Sequence, residues 1–242
     1  MRSPGEFSRR QIITMALGGI ALPPAIMRSE ARKPPEAQAV CDRMVEMDKW
    51  RTDTLRGYSG MRLYTLSYGG SRNPAEMLVS VEYAYPGRKT FHVVSQKNSG
   101  VVQERIFRRV MDAELAATRD EIRDSARITP RNYDFAVVGA DNLDSRPAYV
   151  LRLIPKRKQW FLVDGKIWVD KADAAVTRID GEVATGSFWV RTAHMVQCYA
   201  RIGPYWLVSS SQNSANVRFL GEAHLNIEYF DYRLRSPEVP EN

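Results

Sequence analysis

Strand-like segments follow one another almost without interruption through the second half of the chain. After Pro130, alternating apolar and polar runs recur roughly every 8–12 residues, with short links rich in glycine and polar residues between them. This spacing is typical of a meandering antiparallel sheet and excludes repeated strand–helix units. About a dozen strands in one sheet must twist and curl. A curled sheet has an apolar concave face that needs a cover.

The predicted strands share this alternation and are bounded by turn residues. They are 61–66, 76–85, 89–95, 133–138, 148–154, 159–163, 166–170, 175–180, 187–192, 195–202, 205–210, 216–220 and 223–234. Asp164-Gly165 is the strongest hairpin signal, because glycine tolerates the positive φ of a two-residue turn. Residues 139–147 are predicted to form a polar loop, and Pro86-Gly87 another turn.

Two amphipathic segments are the predicted cover. Residues 40–56 carry apolar side chains near helical spacing, and so do residues 100–123, where charged side chains occupy the opposite face. We therefore predict a mainly β fold with two or three α-helices. One large curved antiparallel sheet forms a half-open barrel, the helices lie across its mouth, and the interior has room for an apolar ligand.

The first 39 residues read as an export signal. Arg9 and Arg10 precede a moderately apolar run at 12–27 that is too short and too broken for a membrane span. The arginine pair resembles a twin-arginine signal, with a Sec signal as the alternative. Ala37-Gln38-Ala39 fits a cleavage site, and Ser29-Glu30-Ala31 is the second choice. We expect a periplasmic mature chain, 40–242, that forms one domain with a short polar tail.

The net charge and the sequence motifs argue against nucleic-acid binding and against enzyme activity. The net charge of +7 falls to +4 once the six basic and three acidic residues of 1–39 are set aside, so a nucleic-acid partner is not indicated. No metal-ligand spacing, catalytic motif or cofactor motif is present, so we expect no metal, no cofactor and no catalytic residue. Enzyme chemistry would require His194 or His224 to lie in a cleft beside an acid.

The two cysteines allow two interpretations. In an oxidising compartment Cys41 and Cys198 could form a disulfide that ties the first helix to a late strand. The alternative is two separate buried thiols.

Three stretches resemble a known family. They are YVLRLIPK at 149–156, WFLVDGKIWVD at 160–170 and VTRIDG at 176–181. They are similar to the LolA/LolB/RseB superfamily, within the class of outer-membrane lipoprotein-sorting proteins, and the resemblance covers residues 40–234. It implies an eleven-stranded half-barrel in the periplasm that binds acyl chains, or lipoproteins by their acyl chains. No functional arginine of the carrier branch matches a numbered residue of this chain.

Candidate ligand-lining residues are apolar positions on strands whose other face is more polar. They are Met61, Leu63, Val79, Val81, Phe91, Leu151, Leu153, Leu225 and Ile227. The expected function is a carrier or chaperone that shelters acyl chains or lipoproteins for transport in outer-membrane lipoprotein sorting. A monomer is expected, with an envelope membrane protein as a further partner. The alternative is an envelope sensor or protein-interaction module of the same fold that transports no lipid.

Overall fold

Ten strands form one antiparallel sheet in the computed structural model, which describes residues 35–69, 73–117, 120–184, 190–217 and 221–235. The elements in chain order are α1 (Pro35–Thr54), β1 (Gly57–Tyr68), β2 (Ala75–Ala84), β3 (Arg88–Lys97), α2 (Val101–Ala117), α3 (Asp120–Ala126), β4 (Tyr133–Leu143), β5 (Arg146–Pro155), β6 (Val163–Asp170), β7 (Val176–Val183), β8 (Val190–Ile202), β9 (Tyr205–Val217) and β10 (Gly221–Leu234). Most of the predicted export signal, including Arg9 and Arg10, lies outside the described residues.

The predicted architecture is confirmed: the described part of the chain is mainly β, with three helices and an open sheet. The strand order is β3-β2-β1-β10-β9-β8-β7-β6-β5-β4, so β10 returns beside β1 and the described parts of β3 and β4 lie at the two edges. The sheet has ten strands instead of the predicted dozen. Within the described residues, no helix is long and apolar enough to cross a membrane.

Two pairs of predicted strands, in 187–202 and in 205–220, each form one longer strand. β8 begins at Val190, and β9 continues without a break to Val217. The parts of the prediction beyond these two residues lie outside the described residues.

The hairpin predicted at Asp164-Gly165 is wrong, and so is the strand at 159–163. The latter is largely a turn, and Asp164-Gly165 lies within β6. Gly165 faces Gly181 on β7, where a Cβ added to Gly165 would lie 2.2 Å from the carbonyl oxygen of Asp180. The glycine is therefore required by the close approach of two strands and not by a turn.

The polar loop predicted at 139–147 is also wrong. β4 continues to Leu143, and β5 begins at Arg146. Only Asp144 and Ser145 connect them, with φ angles of 47° and 64°. Positive φ at both central residues matches the right-handed twist of a hairpin, and aspartate adopts this conformation more readily than most residues.

Both main helices cover the same face of the sheet, which we call the inner face. Residues directly opposite each other on paired strands share a face. One such row crosses eight strands from β2 to β5: Met77, Tyr64, Ile227, Ser211, Gln197, Ile179, Ile167 and Leu151. The row is apolar at both ends and polar in the middle, on β8 and β9.

The apolar ends of the inner face form two cores, one under each helix. Met44 of α1 packs with Leu151 and Ile167 of β5 and β6. Phe107 of α2 is buried with Tyr64 of β1, their rings 6.1 Å apart in an edge-on arrangement. Between these two cores, the inner face is polar and borders the cavities described below.

Candidate functional site

An apolar cavity of about 650 Å³ lies between α2 and the inner face of β1, β9 and β10. We call it the α2 cavity. Its thirteen described lining residues comprise ten apolar residues, two arginines and one asparagine: Leu66, Val101, Val102, Arg105, Ile106, Arg109, Val110, Ala113, Asn213, Ala215, Val217, Ala223 and Leu225. This volume falls within the range of about 300–1,000 Å³ that is typical of small-molecule sites.

Small side chains create this volume. Ala223 and Ala215 are directly paired on β10 and β9, and Ala113 on α2 lines the same space. Larger side chains at these positions would reach across and close the gap between helix and sheet. Nearby, Phe107 fills the corresponding gap over β1 and β2, so that part of the interface is a packed core.

Helix α2 therefore presents two faces to the sheet. One stripe, which includes Phe107 and Glu114, is anchored on β1–β3. The neighbouring stripe, with Val102, Ile106 and Ala113, overhangs β9 and β10 and forms the roof of the α2 cavity. Both follow the i, i+3, i+4 spacing of a helix surface.

A second cavity of about 560 Å³ adjoins the first, and we call it the polar chamber. Val110, Asn213 and Leu225 line both spaces. Its other described lining residues are Tyr58, Arg62, Lys89, Glu114, Gln197, Tyr199, Trp206, Leu207, Val208, Ser211, Ile227, Tyr229 and Tyr232. The chamber lies over the polar middle of the inner face.

Three charged side chains meet in the polar chamber. Arg62 of β1 donates two hydrogen bonds to the carboxylate of Glu114 on α2, one of them 2.9 Å long from Nη2 to Oε1. Lys89 of β3 donates to the same carboxylate at 2.6 Å. The side chains of Arg62, Lys89 and Glu114 are 4%, 13% and 28% exposed. This cluster joins α2 to two strands and leaves a net charge of +1.

The contacts in this cluster shift the pKa values of Glu114 and Arg62. Burial raises the pKa of Glu114, but the charges and hydrogen bonds of Lys89 and Arg62 outweigh it and bring this pKa down to about 2. Burial lowers the pKa of Arg62, but Glu114 more than offsets this effect and raises the pKa above its ordinary value. Glu114 and Arg62 are therefore both charged at neutral pH.

Aromatic rings complete the surroundings of Arg62. Its guanidinium carbon lies 4.7 Å from the ring centroid of Tyr229 and 5.3 Å from that of Phe91. Stacking of this kind stabilises a buried guanidinium that water no longer reaches. Burial also raises the pKa of Tyr229, which stays protonated.

A third cavity of about 360 Å³ lies beside α1, and we call it the α1 cavity. Asp48 and Arg51 of α1 line it, together with Tyr199 and Trp206, which also line the polar chamber. The three cavities thus adjoin one another along the inner face, with the apolar space at the α2 end.

Two of the nine predicted ligand-lining residues border these cavities. Leu225 lines the α2 cavity and the polar chamber, and Ile227 lines the polar chamber. Phe91 packs beside the core under α2 and stacks on Arg62.

The other predicted residues lie elsewhere. Four are filled core positions with 0–1% exposure: Val79, Val81, Leu151 and Leu153. Met61 and Leu63 are half-buried on the opposite face of β1, because Arg62 occupies the inner face of that strand. The choice of strongly hydrophobic positions therefore selected core residues, whereas the α2 cavity forms where the side chains are small.

The histidines lie at the surface. His194 is 2.9 Å from a carboxylate oxygen of Asp180, and His224 is 3.3 Å from one of Glu222. Their side chains are 45% and 48% exposed, and neither lines one of the three cavities. Among the described residues no cluster of three or more His, Cys, Asp or Glu side chains is arranged to hold a metal ion.

The two cysteines are not joined in the structure. Cys41 is buried in the core under α1, beside Leu151 and other inner-face residues. Cys198 lies opposite Arg178, whose guanidinium stacks on Trp168 on the outer face. The two sulfurs therefore belong to different faces of the sheet, which disfavours a disulfide and favours the alternative of two separate thiols.

Comparisons with known proteins concern the fold. No protein-family model and no curated protein sequence matches the chain. A putative outer membrane lipoprotein-sorting protein domain from Vibrio parahaemolyticus is 10% identical, with 85% of this chain and 94% of that chain covered and a TM-score of 0.47. A LolA superfamily protein from Nitrosomonas europaea is 12% identical, with 83% and 94% covered and a TM-score of 0.38.

A DUF1329 family protein from Desulfovibrio piger is 15% identical, with 85% of this chain and 95% of that chain covered and a TM-score of 0.41.

Proposed function

We propose that the chain is a periplasmic binding protein that shelters acyl chains in the α2 cavity and carries them, as free lipid or as part of a lipoprotein, for outer-membrane lipoprotein sorting. The observation that carries the proposal is the cavity itself. It has about 650 Å³ of space and a mainly apolar lining, and a single helix, α2, forms the wall that faces the sheet.

Apolar burial supplies the binding energy. Each methylene transferred from water into an apolar space contributes about 0.8 kcal/mol. The ten apolar residues of the lining select no particular ligand atom, because their side chains are aliphatic. Chain-like ligands of varied structure therefore fit this site better than a single rigid molecule does.

Helix α2 provides the route for the ligand. The helix is held by the core around Phe107 and by the ion cluster of Glu114 with Arg62 and Lys89, whereas its other stripe rests over empty space. A displacement of α2 that leaves the sheet intact would open the cavity along its length. Loading and release then depend on the helix and not on unfolding of the sheet.

Filling the cavity tests the proposal. In Ala113→Trp the indole occupies part of the α2 cavity. If it excludes about three methylenes, binding weakens by about 2.4 kcal/mol, or roughly fiftyfold. Leu115→Trp is the matched control, because Leu115 is exposed on the same helix and does not line the cavity.

The measurement is native mass spectrometry of the exported protein, followed by lipid extraction. Wild type and Leu115→Trp should carry acyl species, and Ala113→Trp should lose most of them. A lipid-free wild type that takes up no added acyl chain would contradict the proposal and favour the sensor or protein-interaction function.

A further inference from the structure

Two arginines of α2 border the α2 cavity. Arg105 and Arg109 lie one turn apart on the helix, and both are among the residues that line the cavity. Both are exposed, and no described residue forms an ion pair with either. The thirteen described lining residues include no aspartate or glutamate.

This pair differs from the basic cluster of the polar chamber. There, Arg62 and Lys89 share the carboxylate of Glu114. Arg105 and Arg109 repel each other across one helical turn, where residues i and i+4 are neighbours. An anion bound between them removes this repulsion and gains up to two charge-assisted contacts.

The cavity beneath them is apolar, so the anion and the chain belong to one molecule. We propose that the ligand of the α2 cavity is an anionic amphiphile: its acyl chain lies over Ala215 and Leu225, and its carboxylate or phosphate group binds Arg105 and Arg109 at the mouth. This inference rests on the proposed function and adds the chemical class of the ligand. Arginine suits the task because its planar donor fork matches both anions.

Two amphiphiles that have the same acyl chain but different headgroups separate binding of the headgroup from binding of the chain. Palmitate has an anionic head, and monopalmitoylglycerol has the same chain with an uncharged head. Titration calorimetry below the micellar concentration should show palmitate binding about tenfold more tightly, since two exposed ion pairs contribute modestly. The preference should shrink as salt is added, because exposed charges are screened.

The variants are Arg105→Gln with Arg109→Gln, and Arg108→Gln as the matched control. Arg108 is exposed on the same helix and does not line the cavity. The double variant should lose the preference for palmitate and keep its affinity for monopalmitoylglycerol, and the control should keep both. Far-ultraviolet circular dichroism checks that the helix is intact in each variant.

Three results would overturn the inference. Equal affinity of wild type for the two amphiphiles would remove the headgroup site and leave acyl-chain binding in place. Inorganic phosphate binding as tightly as palmitate would mark a site for free anions. Failure of wild type to bind either amphiphile would remove the proposed function and the headgroup site together.

Discussion

Removing the charge of Glu114 should loosen helix α2 from the sheet. The pKa of Glu114 falls from its ordinary value of 4.5 to about 2, and each pKa unit corresponds to about 1.4 kcal/mol. The shift thus corresponds to roughly 3 kcal/mol. Because 28% of the side chain is exposed and screened by water, we expect Glu114→Gln to cost about 2 kcal/mol at neutral pH.

The destabilisation caused by Glu114→Gln should depend on pH. A carboxylate whose pKa is lowered by folding contributes its full stabilisation above the ordinary pKa of 4.5, and the contribution is lost as pH falls toward 2. Urea denaturation of wild type and Glu114→Gln should therefore give free energies of unfolding that differ at neutral pH and converge near pH 2.

Asp112→Asn is the control for this series. Asp112 is exposed on α2, and its substitution should change the free energy of unfolding by less than about 0.5 kcal/mol. The reasoning is refuted if Glu114→Gln is no more destabilising than Asp112→Asn, or if the gap between wild type and Glu114→Gln persists to pH 2.

Three further predictions concern the fold. Gly165→Ala forces a Cβ against the backbone of β7 and should cost more than about 2 kcal/mol in chemical denaturation, whereas Gly139→Ala, where a Cβ meets nothing within 4 Å, should be close to neutral. Cys41 and Cys198 should both react with a thiol reagent after unfolding without reductant; two unreactive sulfurs would show a bridge. Ala37 belongs to α1 and is fully buried, which favours the second cleavage site, Ser29-Glu30-Ala31, over Ala37-Gln38-Ala39. The intact mass of the exported protein should then include Ala37, and a mass that lacks it would contradict this choice.

The sheet was predictable because one face of each strand is buried, and burial imposes alternation on the sequence. The strand prediction was interrupted within β9, because its sequence from Ser209 to Asn216 is polar and resembles a loop. The strand continues there because its inner residues, Ser211 and Asn213, line the polar chamber and not an apolar core. The local sequence pattern cannot reveal that a strand crosses a polar part of the interior.

The ion cluster was missed for a different reason. Arg62 stands between two apolar residues, and alternation alone places an arginine on the solvent side. It faces inward because Glu114 and Lys89, which lie 52 and 27 positions away along the chain, meet it in space. The aromatic residues on neighbouring strands that stack on Arg62 could have indicated that it faces inward. They can be matched to Arg62 only when the register of the strands is known.

An apolar cavity was predicted, but most of the residues that line the α2 cavity were not named, because large apolar residues mark where space is filled. Val81 and Leu151 are more hydrophobic than the residues that create the void. Ala113, Ala215 and Ala223 create it by being small, and they lie on three different elements. A sequence search for the site would need to look for small residues that face one another across predicted strands and a helix.

The most direct test of the account is to locate a bound acyl chain. A fatty acid with a nitroxide near its methyl end broadens nuclear magnetic resonance signals close to it. We expect broadening of the methyl signals of Ala113, Ala215 and Ala223, and sharp signals from Leu151 and Ile167, which lie in the packed core under α1. Broadening centred on Leu151 and Ile167, or on surface methyls alone, would contradict binding in the α2 cavity.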